Sequence, residues 1–245
     1  MAERHIVAMG GGGFSMEPEN PLLDDFVLDL ARRTRRIRNR KPRIAFVGTA
    51  SGDSDSYART FIEAFPPARA EAMLLRFFER TVTDLRAFVL AQDVIYVGGG
   101  STANLLAIWR VHGLDRALRA AWNAGVVLAG ISAGAVCWFQ DGITDSFGGG
   151  YRALGGGLGF LRGGCCPHYD GEAARRPALH WLAKRGFPPT LALDDGAAAH
   201  FVGTRLKEVV SSRPHARAFR VTASGGRVVE TPLKVRYLGT SRRPR

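Results

Sequence analysis

The residues best suited to chemistry lie in the five-residue pattern Gly130-Ile131-Ser132-Ala133-Gly134. In a Gly-x-Ser-x-Gly turn the serine adopts a strained backbone conformation, and the two glycines let neighbouring chain pass close by. The apolar run 126–131 predicts a buried strand, and residues 133–139 predict the first turns of a buried helix. Such a turn exposes the Ser132 Oγ and aims the first helical N–H groups, beginning with that of Ala133, at a developing oxyanion. A serine that merely caps the helix is the alternative, but the context favours a nucleophile.

A nucleophilic serine needs a base within hydrogen-bonding distance, and the base needs a group that orients it. Of the six histidines, two lie outside the predicted catalytic edge and three lie in the interiors of predicted helices or strands: His5, His215, His112, His180 and His200. His168 differs, because it follows Pro167 in a loop downstream of the serine. Loops carry function more often than core segments do, which makes His168 the candidate base.

Strands and helices alternate regularly through the first half of the chain. Strands are predicted at 5–9, 43–48, 72–75, 93–97 and 126–131, and helices at 22–38, 57–65, 82–90 and 105–118. This alternation predicts an α/β fold with a mostly parallel sheet and helices on both faces. Ligands bind outside the carboxyl ends of the strands in such sheets, so the loop after Val97 and the turn at Ser132 should share one edge.

The pattern changes after Asp141. The next segment is rich in glycine and lacks helical periodicity, and a helix is predicted at 173–185. Short runs at 190–193, 198–202, 218–222, 226–230 and 233–238 follow, and the last three alternate like antiparallel strands. No long linker divides the chain, so residues 1–245 are predicted to form a single domain with a short antiparallel C-terminal section.

Composition limits the classes of function. The longest apolar runs fall short of a membrane span, and the N-terminus lacks the apolar core of a signal peptide, so we expect a cytoplasmic protein with no membrane partner. The three cysteines form neither a disulfide framework nor a metal motif. The net charge of +12 comes from basic clusters at 32–41 and 242–245, but no nucleic-acid-binding motif accompanies them. Nucleic acid is therefore not the expected partner.

Three segments together carry a resemblance to a known family. They are Val97-Gly98-Gly99-Gly100-Ser101-Thr102-Ala103-Asn104, Gly130-Ile131-Ser132-Ala133-Gly134-Ala135 and Cys166-Pro167-His168-Tyr169-Asp170. The residues of these segments and their order along the chain resemble those of the peptidase E family of serine peptidases (peptidase family S51). That family includes aspartyl dipeptidases and the related cyanophycinases. The resemblance implies a fold similar to class I glutamine amidotransferases (flavodoxin-like) and a serine exopeptidase that cleaves short peptides.

The resemblance also implies roles for particular residues. It assigns the nucleophile to Ser132, the general base to His168, and the oxyanion donors to the backbone of Gly99 or Gly100 and of Ala133. The family places an acidic residue between the serine and the histidine. Asp145 fits that position best by its spacing, and Asp141 is the second candidate. No cofactor or metal is implied.

The acidic pair Asp194 and Asp195 ends a predicted strand and is a further candidate for the pocket. Arg175 and Arg176 begin the helix after His168, where one of them could bind a substrate carboxylate. The alternative is that they pair with Asp170 or Glu172 of the protein.

Acidic N-terminal residues would then be preferred in the substrate. The chain departs from the best-known aspartyl dipeptidases around His168, where Cys-Pro-His-Tyr-Asp-Gly-Glu is followed by Arg175-Arg176-Pro177, so strict aspartyl specificity is not expected. An esterase or amidase with the same elbow, and an idle binding protein on this scaffold, remain open. So does a homodimer.

We predict that Ser132→Ala folds normally and loses hydrolysis by on the order of 10⁴-fold or more, because the members of a catalytic triad act as a unit. Circular dichroism and steady-state kinetics on the best substrate measure the two properties. Turnover close to that of the wild type would eliminate the nucleophile assignment.

Overall fold

The computed structural model describes residues 2–239, which contain two β-sheets and eight α-helices. The strands are β1 His5–Met9, β2 Arg43–Val47, β3 Glu71–Leu75, β4 Val94–Val97, β5 Val127–Ile131, β6 Phe139–Thr144, β7 Arg152–Gly155, β8 Leu161–Cys166, β9 Thr190–Leu193, β10 Ala197–Val202, β11 Arg205–Ser211, β12 Ala218–Ser224, β13 Arg227–Pro232 and β14 Val235–Tyr237. The helices are α1 Gly13–Met16, α2 Leu22–Thr34, α3 Asp55–Ala64, α4 Leu85–Leu90, α5 Thr102–His112, α6 Leu114–Asn123, α7 Ala133–Val136 and α8 Arg175–Ala183.

The first sheet has eight strands in the order β14-β11-β10-β1-β5-β4-β2-β3. From β1 to β3 every neighbouring pair is parallel, as the β-α alternation predicts. β10 pairs antiparallel with β1, and β11 pairs antiparallel with β10. The carboxyl ends of β1, β5 and β4 therefore lie side by side, which brings the loop after Val97 next to Ser132.

Strand β1 is buried along its whole length and divides the core into two apolar layers. Ile6 and Ala8 belong to the layer that includes α4 to α7, whereas Val7 and Met9 belong to the layer that includes α1 to α3. Side chains of a strand alternate between its faces, so both faces of the sheet must be covered. The prediction of helices on both faces is confirmed.

A second sheet was not predicted. It has six strands in the order β13-β12-β9-β8-β6-β7, and it contains the glycine-rich segment for which we predicted no regular structure. The helix predicted at 133–139 is also wrong beyond Val136. Backbone carbonyls of Cys137 and Trp138 accept hydrogen bonds from Leu158 and Leu161 instead, which draws the chain into β6. The first sheet alone is mostly parallel.

Helix boundaries differ from the prediction most clearly in three helices. The helix predicted at 105–118 is two helices, because Gly113 has φ +75° and ends α5 in the left-handed conformation. α4 begins at Leu85 and not at Val82, since Asp84 caps it by accepting a hydrogen bond from the N–H of Ala87 at 2.9 Å. α2 ends at Thr34, ahead of the predicted end at residue 38.

The C-terminal prediction is partly confirmed. β12 and β13 form the expected antiparallel hairpin, but it extends the second sheet. The last predicted strand was wrong in its pairing, because β14 is parallel to β11 and belongs to the first sheet. The basic cluster at 242–245 lies outside the described residues. Part of the other cluster is neutralised internally, where Arg35 and Arg40 bind the buried carboxylate of Asp93.

Within residues 2–239, no helix has the length and apolar character needed to cross a membrane. In the same part of the chain, no group of three or more His, Cys, Asp or Glu side chains is arranged to hold a metal ion. The three cysteines are free thiols and buried.

A buried histidine pair joins the two strands at the centre of the first sheet. His5 Nδ1 of β1 lies 3.0 Å from His200 Nε2 of β10, and burial lowers the pKa of both imidazoles. Glu3, Glu208 and Arg33 are the charged groups that face the pair. The folded protein therefore resists protonation here more than the unfolded chain does.

We predict that acidification through the ordinary histidine pKa destabilises the fold at this pair. Below about pH 6.5 the histidines of the unfolded chain become protonated, whereas the buried pair of the folded protein stays uncharged to a lower pH. The free energy of unfolding therefore falls with decreasing pH by up to about 1.4 kcal/mol per pH unit for each histidine that stays uncharged. Urea unfolding at pH 7.5 and 5.5 measures the fall, which should be smaller in His200→Gln. Replacing the exposed His215 by Gln is the matched control. An unchanged pH dependence in His200→Gln would contradict the prediction.

Candidate active site

Ser132 occupies a sharp turn between β5 and α7. Its backbone has φ +56° and ψ −114°, a conformation that is rare for a residue with a side chain. The Ser132 N–H donates to the carbonyl of Met9 at 3.1 Å, and the Ser132 carbonyl accepts from the N–H groups of Ala135 and Val136. These backbone bonds hold the strained conformation, which is common where a residue has a chemical role.

The two glycines of the elbow are required by packing. A Cβ on Gly130 would overlap the backbone of Gly134, and a Cβ on Gly134 would overlap the carbonyl group of Val97 at the end of β4. The prediction that glycine permits close passage of neighbouring chain is confirmed at both positions. The elbow is thereby pressed against the glycine segment that follows β4.

The glycine run after β1 connects the parts of the site. The carbonyl of Gly10 accepts a hydrogen bond from the N–H of His168 at 3.1 Å, and the carbonyl of Gly11 accepts one from the N–H of Gly196 at 3.0 Å. With the bond from Ser132 to Met9, three successive carbonyls of one segment bind backbone at or beside Ser132, His168 and Asp195. A side chain at Gly11 would overlap the Asp195 carboxylate, so only glycine allows this approach.

His168 pairs with Asp195. Its Nδ1 lies 2.6 Å from Asp195 Oδ1, and the two side chains are only 12% and 11% exposed. A carboxylate on Nδ1 fixes the tautomer in which Nε2 is free to accept a proton. His168 is also strained, with φ +51°. The Asp195 N–H donates to Asp170 Oδ1 at 2.8 Å, so Asp170 holds the backbone that presents the carboxylate.

The other acidic candidates do not reach His168. Asp145 is exposed in the loop after β6, and Asp141 lies within β6 opposite Gly155 of β7. Asp194 is buried and accepts hydrogen bonds from the N–H and the Nε of Arg217. The family spacing favoured Asp145, and the structure does not bring Asp145 to the histidine.

The direction of the His168 turn explains the choice of partner. β8 has β6 on one side and β9 on the other, and all three run parallel. Asp145 follows β6 and Asp195 follows β9, so both lie at the edge where His168 follows β8. The turn bends toward β9, where the N–H of Tyr169 donates to the carbonyl of Leu193 at 3.0 Å. A sequence signal existed, because Asp195 and His168 each stand two residues beyond a strand.

The predicted oxyanion donors lie around Ser132. A Cβ on Gly99 would be 3.3 Å from the Cβ of Ser132, and Ala133 is the first residue of α7, so its N–H has no acceptor within the helix. The Gly99 N–H donates to the hydroxyl of Tyr57 at 3.2 Å, which leaves Gly100 and Ala133 as the better candidates. The sequence did not single out Tyr57. Burial raises its pKa, so its hydroxyl stays protonated at neutral pH.

Arg175 and Arg176 are both occupied by carboxylates of the protein. Arg175 is 4% exposed and binds Glu172, with its Nε 2.7 Å from Glu172 Oε2. Arg176 binds Glu230 of β13 through two nitrogens. The expectation that one of them is free for a substrate carboxylate has no support in this arrangement. The alternative of pairing with Glu172 describes Arg175, whereas Arg176 binds Glu230, which was not among the predicted partners.

The chain is similar to known peptidases. Peptidase family S51 matches residues 6–209. The "Uncharacterized peptidase YgaJ" of Bacillus subtilis (strain 168) is 50% identical over 237 residues, which cover 96% of this chain and 100% of that protein. A peptidase from an acI-B1 Actinobacterium has a similar structure, with a TM-score of 0.69, 18% identity and coverage of 94% of this chain and 96% of that one. A putative peptidase E from Listeria monocytogenes EGD-e has a TM-score of 0.56 at 18% identity, covering 86% and 99%.

We predict that Asp195→Asn lowers kcat/KM by up to roughly 10⁴-fold, because the amide can hold His168 in the wrong tautomer. Asp145→Asn is the matched control and should retain activity within a few-fold of the wild type. Steady-state kinetics of the two variants compare the carboxylates directly. A larger loss in Asp145→Asn than in Asp195→Asn would restore Asp145 as the third member.

Proposed function

This chain belongs to peptidase family S51, and we propose that it is a serine exopeptidase that hydrolyses short peptides through an acyl-enzyme on Ser132. His168 is the general base, and Asp195 is the acidic member of the triad. The observation that carries the proposal is the His168–Asp195 pair. The backbone at the end of β1, residues 9–11, binds the chain at this pair and at the strained Ser132.

Acylation begins when Ser132 Oγ attacks the carbonyl carbon of the scissile peptide bond. His168 Nε2 takes the proton from Oγ, and Asp195 stabilises the imidazolium that forms. The N–H groups of Ala133 and Gly100 donate to the oxyanion of the tetrahedral intermediate, where each donor contributes about 10²- to 10³-fold in kcat.

Collapse of the intermediate breaks the C–N bond. His168 returns its proton to the leaving amine, and the released peptide fragment departs with a free amino group. Water then attacks the acyl-enzyme, again with His168 as the base, and the second collapse restores Ser132.

The substrate class rests on this acyl-transfer site and on membership of the family. A dipeptidase with a preference for N-terminal aspartate is the finer form of the proposal. It needs a cation near the site other than Arg175 and Arg176, because Glu172 and Glu230 occupy both guanidinium groups.

We expect a library of dipeptides and tripeptides to contain substrates that the wild type cleaves and Ser132→Ala does not. Release of new amino groups measures the cleavage. The library pairs each acidic N-terminal residue with its amide, so that the ratio of kcat/KM values for Asp and Asn, and for Glu and Gln, reports specificity. Simple esters serve as a second panel.

Hydrolysis of esters with no cleavage of any peptide would contradict the peptidase proposal while keeping Ser132 as the nucleophile. A wild type that prefers N-terminal Asn and Gln over Asp and Glu would contradict only the proposed preference for N-terminal aspartate.

A further inference from the structure

The hairpin loop between β6 and β7, residues 145–151, is fixed at its first end beside the elbow. We call it the rim loop. Ser146 Oγ accepts a hydrogen bond from the N–H of Ala103 at 3.4 Å and lies 2.6 Å from Thr144 Oγ1. Ala103 is in the first turn of α5, directly after the glycine segment that touches Ser132. This end of the rim loop therefore lies on the oxyanion side of the site.

The second end of the rim loop is fixed beside the catalytic histidine. The hydroxyl of Tyr151 donates to Glu172, and the N–H of Glu172 donates to the carbonyl of His168 at 3.2 Å. The guanidinium of Arg175 stacks on the Tyr151 ring, 4.5 Å from its centroid. The rim loop thus spans the site from the oxyanion side to the base.

The middle of the rim loop combines an exposed aromatic side chain with three successive glycines at positive φ. Phe147 is 55% exposed. Gly148, Gly149 and Gly150 follow with φ values of +69°, +68° and +105°. A Cβ at Gly148 or Gly150 would meet nothing within 4 Å, so glycine is needed there for its backbone conformation and not for packing space.

We propose that Phe147 is a specificity-determining residue that packs on the bound peptide. This inference rests on the proposed function and names the contact which that site makes with its substrate. Packing an exposed aromatic ring against apolar substrate surface removes both from water and is favourable. The three glycines give the loop the backbone freedom to bring the ring to the bound peptide.

The test compares Phe147→Ala with Phe147→Leu and Phe78→Ala on the best-cleaved peptide of the library. Phe147→Ala should raise KM roughly tenfold or more with kcat within about twofold, because a contact made equally in ground and transition states changes KM alone. Phe147→Leu should restore most of the affinity. Phe78 is 60% exposed in the loop after the edge strand β3, which lies three strands away from β5 in the first sheet, so its variant should match the wild type.

A second measurement tests, without catalytic turnover, whether bound peptide protects the rim loop from proteolysis. In Ser132→Ala, chymotrypsin should cut after Phe147, and the same peptide at saturation should slow that cut at least several-fold. Cutting after Phe78 in the same sample is the internal control and should not change. Mass spectrometry of the fragments separates the two sites.

The outcomes are distinguishable. An unchanged KM in Phe147→Ala, or a cut after Phe147 at the same rate with and without peptide, would overturn the inference while the peptidase proposal stands. A fall in kcat with KM unchanged would show that Phe147 only supports the fold of the site. A wild type that cleaves no peptide contradicts the proposed function, and the inference with it.

Discussion

The backbone at the end of β1 is the constraint on which the rest of the site depends. Successive carbonyls of Met9, Gly10 and Gly11 bind the N–H groups of Ser132, His168 and Gly196. These partners come from the turn after β5, the turn after β8 and the turn after β9, which belong to two different sheets. One short glycine segment therefore sets the relative positions of the nucleophile, the base and the carboxylate. A side chain at Gly10 or Gly11 would overlap the chain at Leu193–Asp195, because the space that it needs is already filled.

Backbone strain is concentrated where the chemistry is proposed. Four residues other than glycine have positive φ among the described residues, and two of them are Ser132 and His168. Such conformations cost of order 1 to 3 kcal/mol each and persist only where the surroundings over-determine them. The carbonyls at the end of β1 supply part of that determination, and the first turn of α7 and the Asp195 carboxylate supply the rest. The strain fixes the direction of both side chains before any substrate arrives.

The second sheet adds the base and its carboxylate to a site at the edge of the first sheet. Its strands β6, β8 and β9 run parallel, so the rim loop, the His168 turn and the Asp195 turn leave from the same edge. Its core residues Leu161 and Leu191 pack in the same apolar layer as Ala133 and Ala135 of the elbow helix. The two sheets therefore share the layer behind the nucleophile, which ties the position of the base to that of the serine. Charged pairs such as Arg176 with Glu230 connect β13 to α8 and complete this side.

The sequence by itself determined the parallel half of the fold, the elbow at Ser132 and the choice of His168 as the candidate base. These features depend on local patterns: apolar runs of strand length, helical periodicity, and glycines where backbone must pass close to backbone. The tertiary structure decided the partner of His168, because Asp145 and Asp195 follow strands on either side of β8 and only the direction of the His168 turn separates them. It also decided that Arg176 binds Glu230, since a pairing between α8 and β13 depends on strand order, whereas the pairing of Arg175 with Glu172 is local to the chain. Local patterns contain neither turn direction nor strand order, which arise only when the two sheets pack.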